Sequence, residues 1–368
     1  MTMRYLKTRL MAWLWLPLAS AAVVSSCDMM HEDRDDCPMG LYLSFRYDYN
    51  LERADMFGDH VGAVDVYVFD DEGYYVTTLS DANQGPVRPL AELGYTLHAN
   101  LEPGKYKFVV LAGQADYATQ MAGNRARFVR SDLHQGDSMS VLDVRLETAG
   151  TRQGDVLLVD NHGLPLDTLW HGMELEPVEV FAEKPTYHTI SLMRDTKKIN
   201  VTLRELDDPS KMDVANYDMT ITDRNRRLMW NNAVDETQAV AYTPHAVWNT
   251  DDRAPAFDPD GNQLDGVGHI AHADFMTSRV MYHEDPADDG VLSVTNKLTG
   301  VEVIRVNLPD LLCRLRTSED VYRYSPQEFL DRGYDYQLDF YLKGDRLAYV
   351  NISISVLGWS QRVQFEDL

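Results

Sequence analysis

The chain has 368 residues, with 34 lysines and arginines against 58 aspartates and glutamates, and its formal net charge is −24. A surface this acidic repels the phosphates of nucleic acids and of anionic membranes, so we expect no nucleic-acid partner. Hydrophobic residues make up 44% of the chain, which is enough to form cores and excludes bulk disorder. The length is typical of two domains.

The amino-terminal residues have the pattern of a lipoprotein signal peptide. Three basic residues and no acidic ones lie within the first nine positions, and Leu10–Val24 is an apolar run. This run is shorter than the ~20 residues that a membrane-spanning helix needs. It closes on Ser25, Ser26 and Cys27, and small residues before a cysteine are what a lipoprotein signal peptidase requires. We therefore expect cleavage after residue 26 and acylation of Cys27, which gives stable anchoring when two or more chains are attached.

Residues 27–36 predict an acidic, solvated tether. The alternative is an ordinary secretory signal with a chance cysteine, and the acidic run that begins at Asp28 argues against it. A stop-transfer helix would instead carry basic residues on its cytoplasmic side.

Two cysteines remain once Cys27 is assigned to lipid. Cys37 and Cys313 would both lie in an oxidising compartment, where disulfides persist. Pairing requires Cα atoms within about 7 Å of each other. The sequence leaves open both a long-range Cys37–Cys313 disulfide and two unpaired, packed thiols.

Strand patterns begin directly after the tether. In Leu41–Asp48 the odd positions are apolar or aromatic and most even positions are polar, which predicts a half-buried strand. Ala63–Asp70 predicts a second strand, and turn residues 71–73 lead into a third at Tyr74–Leu79. Residues 114–140 have weak periodicity and predict a short helix or a long loop. Further strands are predicted at 105–111, 156–159, 178–181 and 187–193.

The alternating run Lys197–Leu203 starts a second unit, with a boundary near Arg194. Residues 231–268 are rich in proline, aspartate and glycine and predict a long loop. Ser325–Leu330 predicts a short helix with proline at its first helical position. Strands are predicted at 219–222, 275–282, 290–296, 301–306, 334–343 and 349–357. Many short strands between turn residues predict an all-β fold of two tandem β-sandwich domains, at residues 37–193 and 194–368.

No catalytic motif with diagnostic spacing occurs in the chain, which lacks nucleophile-elbow, His-Glu-x-x-His and glycine-rich phosphate-loop patterns. We expect no enzyme activity, no metal and no cofactor. His269 and His272, with Asp274, have a spacing that suits a helix better than a strand, and we interpret them as loop histidines. Residues 258–265 resemble a calcium loop, but Gln263 stands where glycine is required, which favours a solvated turn.

Strand and turn motifs follow one another along the chain in an order that resembles one known family. The first are Cys37–Leu41, Phe45–Asn50 and Val66–Asp70. The later ones are Pro103–Tyr106, Leu169–Gly172, Lys197–Val201, Thr277–Arg279 and Ile352–Trp359. With the cysteine-terminated signal before them, these motifs make the chain similar to the fimbrillin-associated anchor family, FimB-like lipoproteins of Bacteroidetes. The resemblance covers nearly all of the mature chain.

This resemblance implies an outer-membrane lipoprotein with two transthyretin-like β-sandwich domains, exposed at the cell surface. It implies a fimbrial anchor or accessory subunit that attaches a fimbrium, limits its assembly and has fimbrillin-type subunits as partners. A second hypothesis is a glycan-binding, adhesin-like lipoprotein, because the 10% of aromatic residues could stack on sugars. A third, a lipid-tethered hydrolase, lacks a nucleophile with a neighbouring base.

Stalk subunits of these fimbriae polymerise when proteolysis removes an amino-terminal strand and a neighbour's strand fills the groove, by strand addition to an open sheet edge. In this chain the strand Leu41–Asp48 follows closely after Cys27. Cleavage after Arg46 would release the body from its lipid, so we expect this strand to stay in place and block one end of assembly. We expect the last strand, Tyr349–Leu357, to pack in its own sandwich, with donation to a partner as the alternative.

Overall fold

The computed structural model describes residues 39–151, 154–252, 268–317, 319–356 and 359–365. The signal peptide, the tether, Cys27, Cys37 and the acidic segment 258–265 lie outside these residues, and what the sequence predicts for them stays a prediction. Within the described ranges, no helix combines the length and the apolar character needed to cross a bilayer.

Short strands make up about half of the described chain. Those before residue 195 are β1 (Leu41–Tyr49), β2 (Ala63–Asp70), β3 (Tyr75–Ala82), β4 (Leu97–Ala99), β5 (Gly104–Gly113), β6 (Phe128–Arg130), β7 (Asp143–Leu146), β8 (Thr148–Thr151), β9 (Leu157–Val159), β10 (Trp170–Val180) and β11 (Thr186–Arg194). Those after it are β12 (Lys197–Glu205), β13 (Tyr217–Asp223), β14 (Arg227–Met229), β15 (Val234–Asp235), β16 (Val240–Tyr242), β17 (Ala246–Asp252), β18 (Gly268–Thr277), β19 (Val291–Asn296), β20 (Glu302–Asn307), β21 (Asp335–Lys343), β22 (Arg346–Val356) and β23 (Trp359–Phe365).

The helices are short and connect strands. They are α1 (Phe57–His60), α2 (Tyr117–Ala122), α3 (Leu308–Cys313), α4 (Glu319–Tyr322) and α5 (Pro326–Arg332), with single 3-10 turns at Pro89–Ala91, Met139–Val141, Pro209–Lys211 and Val214–Asn216. Helix α5 begins as predicted, because Pro326 occupies its first turn and the hydroxyl of Ser325 accepts a hydrogen bond from the backbone N–H of Glu328 (3.1 Å).

One large sheet organises the first half of the chain, in the order β3-β2-β5-β10-β11-β1-β4. Strand β1 runs parallel to β11 and antiparallel to β4. One face of this sheet buries alternate side chains, among them Phe45, Tyr47, Val66 and Phe108, and α1 packs over it through Phe57. The period-two pattern predicted for β1 therefore places one face of that strand in a core. Strand β2 buries both faces, with Val66 in this core and Phe69 in a second hydrophobic core.

The second half contains a sandwich of two sheets, ordered β17-β18-β12-β21-β22-β23 and β20-β19-β13-β16-β9-β8. Ile199, Val201 and Leu203 of β12 are at most 1% exposed. They belong to the same hydrophobic core as Ile221 and Leu292 of the other sheet. The predicted all-β sandwich fold is confirmed.

Strand pairing also joins the two halves. Strand β7 pairs with β14, which brings Val144 opposite Leu228, and β9 pairs in parallel with β16, which brings Leu158 opposite Ala241. The resulting small sheet, β15-β14-β7-β6, contains strands from both sides of residue 194. The boundary near Arg194 stays a prediction, and β7 and β9 are hydrogen-bonded to strands that lie beyond it in the sequence.

Two sequence interpretations need correction. Residues 231–252 form β15, β16 and β17 rather than part of a long loop. The sequence does not predict β17. This strand lies at a sheet edge with most of its side chains exposed, so it does not alternate apolar and polar residues. His269 and His272 lie on strand β18 and not in a loop, because this strand begins at Gly268.

Candidate assembly site at the first strand and the junction

Strand β1 lies inside its sheet. Leu41, Leu43 and Tyr47 are 0% exposed and Phe45 is 5% exposed. β11 hydrogen-bonds to β1 along most of its length, with Leu41 opposite Thr186. Detaching β1 from the sheet would expose these four side chains to water and leave β11 without this neighbour. The strand is therefore an integral part of the fold.

Beyond Leu43, the outer edge of β1 is open, because β4 pairs with it only from Leu41 to Leu43. At Tyr47 the edge is closed again: the backbone N–H donates to Asp55 Oδ1 (3.0 Å) and the carbonyl accepts from the N–H of Met56 (3.1 Å). Between these points the backbone groups of Phe45 face the same way as those of Tyr47. No described residue on this edge hydrogen-bonds to them.

A cavity of about 520 Å³ lies beside this open edge. Phe45 and Phe57 stack with ring centroids 5.6 Å apart, and Phe57 stacks on Tyr95 at 6.2 Å. Burial and a hydrogen bond to Asp81 (2.8 Å) raise the pKa of Tyr95, which keeps its hydroxyl neutral. The pocket combines aromatic rings with charged residues such as Arg46 and Asp55, and it lies next to the unpaired backbone groups of Phe45. Strand addition uses backbone hydrogen bonds for strength and pockets for alternate side chains.

The far end of β1 meets the second half of the chain through aromatic rings and arginines. The ring of Tyr47 lies edge-on to Trp170 (6.0 Å), and the guanidinium of Arg194 lies 4.5 Å from the ring centre of Tyr334 and 5.6 Å from that of Trp170. Burial raises the pKa of Tyr334 to about 12. Arg194 is 4% exposed, so its charge is stabilised by ring faces rather than by water.

The link between β11 and β12 is anchored by a fully buried lysine. Lys197 is 0% exposed, and its Nζ donates to the carbonyl oxygens of Arg194 (3.1 Å), Asp331 (3.0 Å) and Gly333 (2.8 Å). Burial lowers the pKa of Lys197 to about 7, and the carboxylates of Asp331 and Asp195 act in the opposite direction. Because three carbonyls take its three N–H groups, this side chain ties the link to the end of α5.

The tip of the β14–β15 hairpin completes this junction. Asn232 adopts φ +62°, a left-handed conformation that asparagine tolerates, and its Nδ2 donates to Asp195 Oδ1 (2.9 Å). The backbone carbonyl of Asn232 accepts a hydrogen bond from Arg279. Arg279 also binds both carboxylate oxygens of Asp331 on α5 (2.8 and 2.7 Å). The hairpin, the link and α5 are therefore held together by one buried polar network.

Helix α5 also contacts the end of β1 directly. The guanidinium of Arg332 lies 4.0 Å from the ring centre of Tyr49 and 3.5 Å from the carbonyl oxygen of Asn50. A force applied to the amino-terminal end of the described chain would therefore reach the second half through β1 and these contacts, as well as through the link at Lys197.

His171 makes the junction sensitive to acid. It is 5% exposed, and its Nε2 donates to the carbonyl of Trp230 (3.0 Å) on the hairpin. Burial lowers the pKa of His171 to about 4, and the hydrogen bond opposes this shift in part. The unfolded chain binds a proton near pH 6.5. The neutral His171 side chain therefore contributes its full stabilisation of the folded state above pH 6.5. This contribution is lost as the pH falls toward about 4.

We expect the free energy of unfolding to fall by about 2 kcal/mol more in the unsubstituted protein than in His171→Gln between pH 7 and pH 5. Urea unfolding at both pH values measures this difference. His162→Gln, the same substitution at a half-exposed histidine, is the control. Equal pH dependence in the unsubstituted protein and His171→Gln would contradict the assignment.

Cys313 and His272, which the sequence analysis considered as site residues, lie on different elements of the fold. Cys313 ends α3, with its Sγ 3.7 Å from the carbonyl oxygen of Pro326, and burial raises its pKa to about 12. Its suggested partner Cys37 lies outside the described residues. His272 hydrogen-bonds to Thr250 (2.7 Å). In the part of the chain that the structure describes, no three histidine, cysteine or carboxylate side chains are grouped to hold a metal ion.

A family model described as fimbrillin-A associated anchor proteins Mfa1 and Mfa2 matches residues 34–365. The chain belongs to this family. The membership confirms the resemblance found in the sequence, and its coarse function is that of a fimbrial anchor, accessory or adhesin-like protein of the cell surface. A search of curated proteins gives no match.

Solved structures share the fold of this anchor-family chain. A putative adhesin from Bacteroides thetaiotaomicron is 25% identical, with a TM-score of 0.69 over 89% of this chain and 98% of that one. A structure of putative polysaccharide binding proteins from the same organism is 24% identical, with a TM-score of 0.65 over 90% and 100%. The fimbrial anchor protein Mfa2 from Porphyromonas gingivalis is 16% identical, with a TM-score of 0.56 over 88% and 99%.

Proposed function

We propose that this protein holds a fimbrium at the outer membrane as an anchor or accessory subunit, tethered by lipid on Cys27 and bound to fimbrillin-type subunits. The family match over residues 34–365 carries the proposal, because it includes both halves of the body and the junction between them. Attachment requires a body that transmits force, and the contacts of β1, α5 and the buried link supply that continuity.

The buried position of β1 supports a subunit that ends a fimbrium rather than one that extends it. Polymerisation by strand exchange would require β1 to leave. Cleavage after Arg46 would divide the strand between the buried side chains of Phe45 and Tyr47. Because its own strand fills the groove, the protein blocks assembly at this end while the open edge beside Phe45 can receive an extended segment of a partner.

We infer a non-enzymatic role from how the buried polar groups are used. His171 and Lys197 donate to backbone carbonyls of neighbouring segments. Arg279 is engaged by Asp331 and by the backbone. Among the described residues, these groups fix the junction and none of their hydrogen bonds joins a nucleophile to a base.

Affinity purification of the tagged protein from its native outer membrane tests the proposal. We expect fimbrillin-type subunits to co-purify in stoichiometric amounts, and Leu93→Asp to reduce their recovery because it would place a charge at an exposed position of the pocket beside the open edge. Leu298→Asp, an equally apolar and exposed position on the turn between β19 and β20, is the matched control. Purification of the unsubstituted protein without any fimbrial subunit would refute the proposed function.

Lipid anchoring gives a separate prediction. We expect Cys27→Ala to move the protein from the membrane fraction to the soluble fraction, because the thiol that takes the lipid is lost. Fractionation followed by immunoblotting measures this change, and mass spectrometry of the mature amino terminus reads the acylation directly. Cys313→Ala should stay in the membrane fraction. Equal membrane association of Cys27→Ala would show that another feature anchors the chain.

A further inference from the structure

The outer face of the β17–β23 sheet carries a row of polar and aromatic side chains. The strand registers place Trp248 opposite His272, His272 opposite Thr202, and Thr202 opposite Asp339. Directly paired residues point to the same side of a sheet, so these four side chains share one face. With neighbouring strands about 4.8 Å apart, the row is about 14 Å long. The opposite face of the same strands forms the core through residues such as Val201 and Leu338.

An aromatic platform begins the row. Trp248 is 40% exposed, and its ring stacks on the imidazole of His272 with a centroid distance of 4.9 Å and an angle of 4° between the planes. His272 is itself fixed by the hydroxyl of Thr250 (2.7 Å), and burial lowers its pKa, which favours the neutral ring. The indole is therefore held in one orientation before any ligand arrives, which reduces the entropy lost on binding.

Hydrogen-bonding groups continue the row. Asp339 accepts at Oδ1 from the hydroxyl of Thr202 (2.7 Å) and from the amide of Gln337 (3.0 Å). Its second carboxylate oxygen makes no hydrogen bond with another described residue, and Gln337 is exposed beside it. Two residues further along β21, Tyr341 stacks on Tyr349 with ring centroids 4.2 Å apart. The face therefore presents acceptors and donors between two pairs of stacked rings.

We propose that this face binds a neutral, hydroxyl-rich glycan chain, with a sugar ring stacked on Trp248 and sugar hydroxyls donating to Asp339. Flat aromatic rings match the apolar faces of sugars, and fixed polar groups match their hydroxyls. Anionic ligands are disfavoured by the chain's net charge of −24. A protein partner would be expected to bury an apolar centre, whereas the centre of this row is Thr202 and Asp339.

Affinity electrophoresis of the purified protein through gels containing mannan, arabinogalactan or β-glucan tests this inference. We expect at least one neutral polysaccharide to retard the unsubstituted protein, and Trp248→Ala to weaken that binding at least tenfold. Asp339→Asn should weaken it less, because the amide keeps one oxygen acceptor. Tyr74→Ala is the control, since Tyr74 is 50% exposed and lies directly before β3 in the first half.

Recovery of fimbrial subunits with the same variants separates this inference from the proposed function. We expect Trp248→Ala to retain those subunits while losing the polysaccharide. No retardation by any of the three polysaccharides would overturn the inference and leave the anchor function standing. Equal loss in Trp248→Ala and Tyr74→Ala would also overturn it, and so would loss of fimbrial subunits in Trp248→Ala, which would make the face a protein interface.

Discussion

Removing residues 349–368 is expected to abolish folding of the second sandwich. The deletion takes most of β22, whose Val350 and Ile352 are 0% exposed and whose Ile354 is 3% exposed. It also removes the partner of β21, since Leu338 pairs with Ile352. Each buried aliphatic side chain accounts for about 2–5 kcal/mol. Their combined loss is comparable to the 5–15 kcal/mol that typically separates folded and unfolded states.

Near-ultraviolet circular dichroism and resistance to limited proteolysis measure this loss of folding. A control truncation that removes residues 366–368 alone should leave both signals unchanged, because it spares the strands of the sheet. A stable monomer after the long deletion that no longer captured fimbrial subunits would contradict the assignment of β22 to its own core. Such a result would support donation of this strand to a partner.

Much of this fold can be read from local periodicity. The strands β1, β12 and β22 alternate apolar and polar residues and have one face in a core, so the pattern and the burial agree, whereas β2 is apolar and buried on both faces. The Ser-Pro sequence at its start predicts helix α5. Pairing between distant strands cannot be predicted in this way, because Leu158 and Ala241 are about 80 positions apart and their pairing leaves no local signal.

The buried polar network at the junction cannot be predicted from the sequence for a different reason. The sequence predicts only a boundary near Arg194 and a strand from Lys197, yet residues 194–197 are all at most 4% exposed. Lys197 can be buried because the carbonyls of Asp331 and Gly333, which lie 134 and 136 residues away, accept hydrogen bonds from its Nζ. One local signal is present in the sequence. Residues 194–197 contain no glycine, proline or asparagine, which exposed turns favour. Their burial depends on partners that periodicity does not reveal.

Substituting Arg279 is expected to weaken the junction strongly. Arg279→Met leaves the carboxylate of Asp331, which is 5% exposed, without its bidentate partner. Removing one member of a buried ion pair costs about 3–5 kcal/mol, because the remaining charge has lost its compensation. The hydrogen bond from Arg279 to the carbonyl of Asn232 on the hairpin is lost at the same time. Urea unfolding should show a lower midpoint and two separate transitions, as the halves lose their coupling.

The double variant Arg279→Met/Asp331→Leu distinguishes the loss of charge compensation from a general loss of packing. With both charges gone, it should be more stable than the sum of the two single substitutions predicts, by an interaction free energy of about 1–3 kcal/mol. Arg305→Met is the surface control, because the Arg305–Glu302 pair is exposed and should contribute at most about 1 kcal/mol. If Arg279→Met were no more harmful than Arg305→Met, the buried network would not hold the halves together. The mechanical continuity on which attachment depends would then rest on β1 and the strand pairs that cross residue 194.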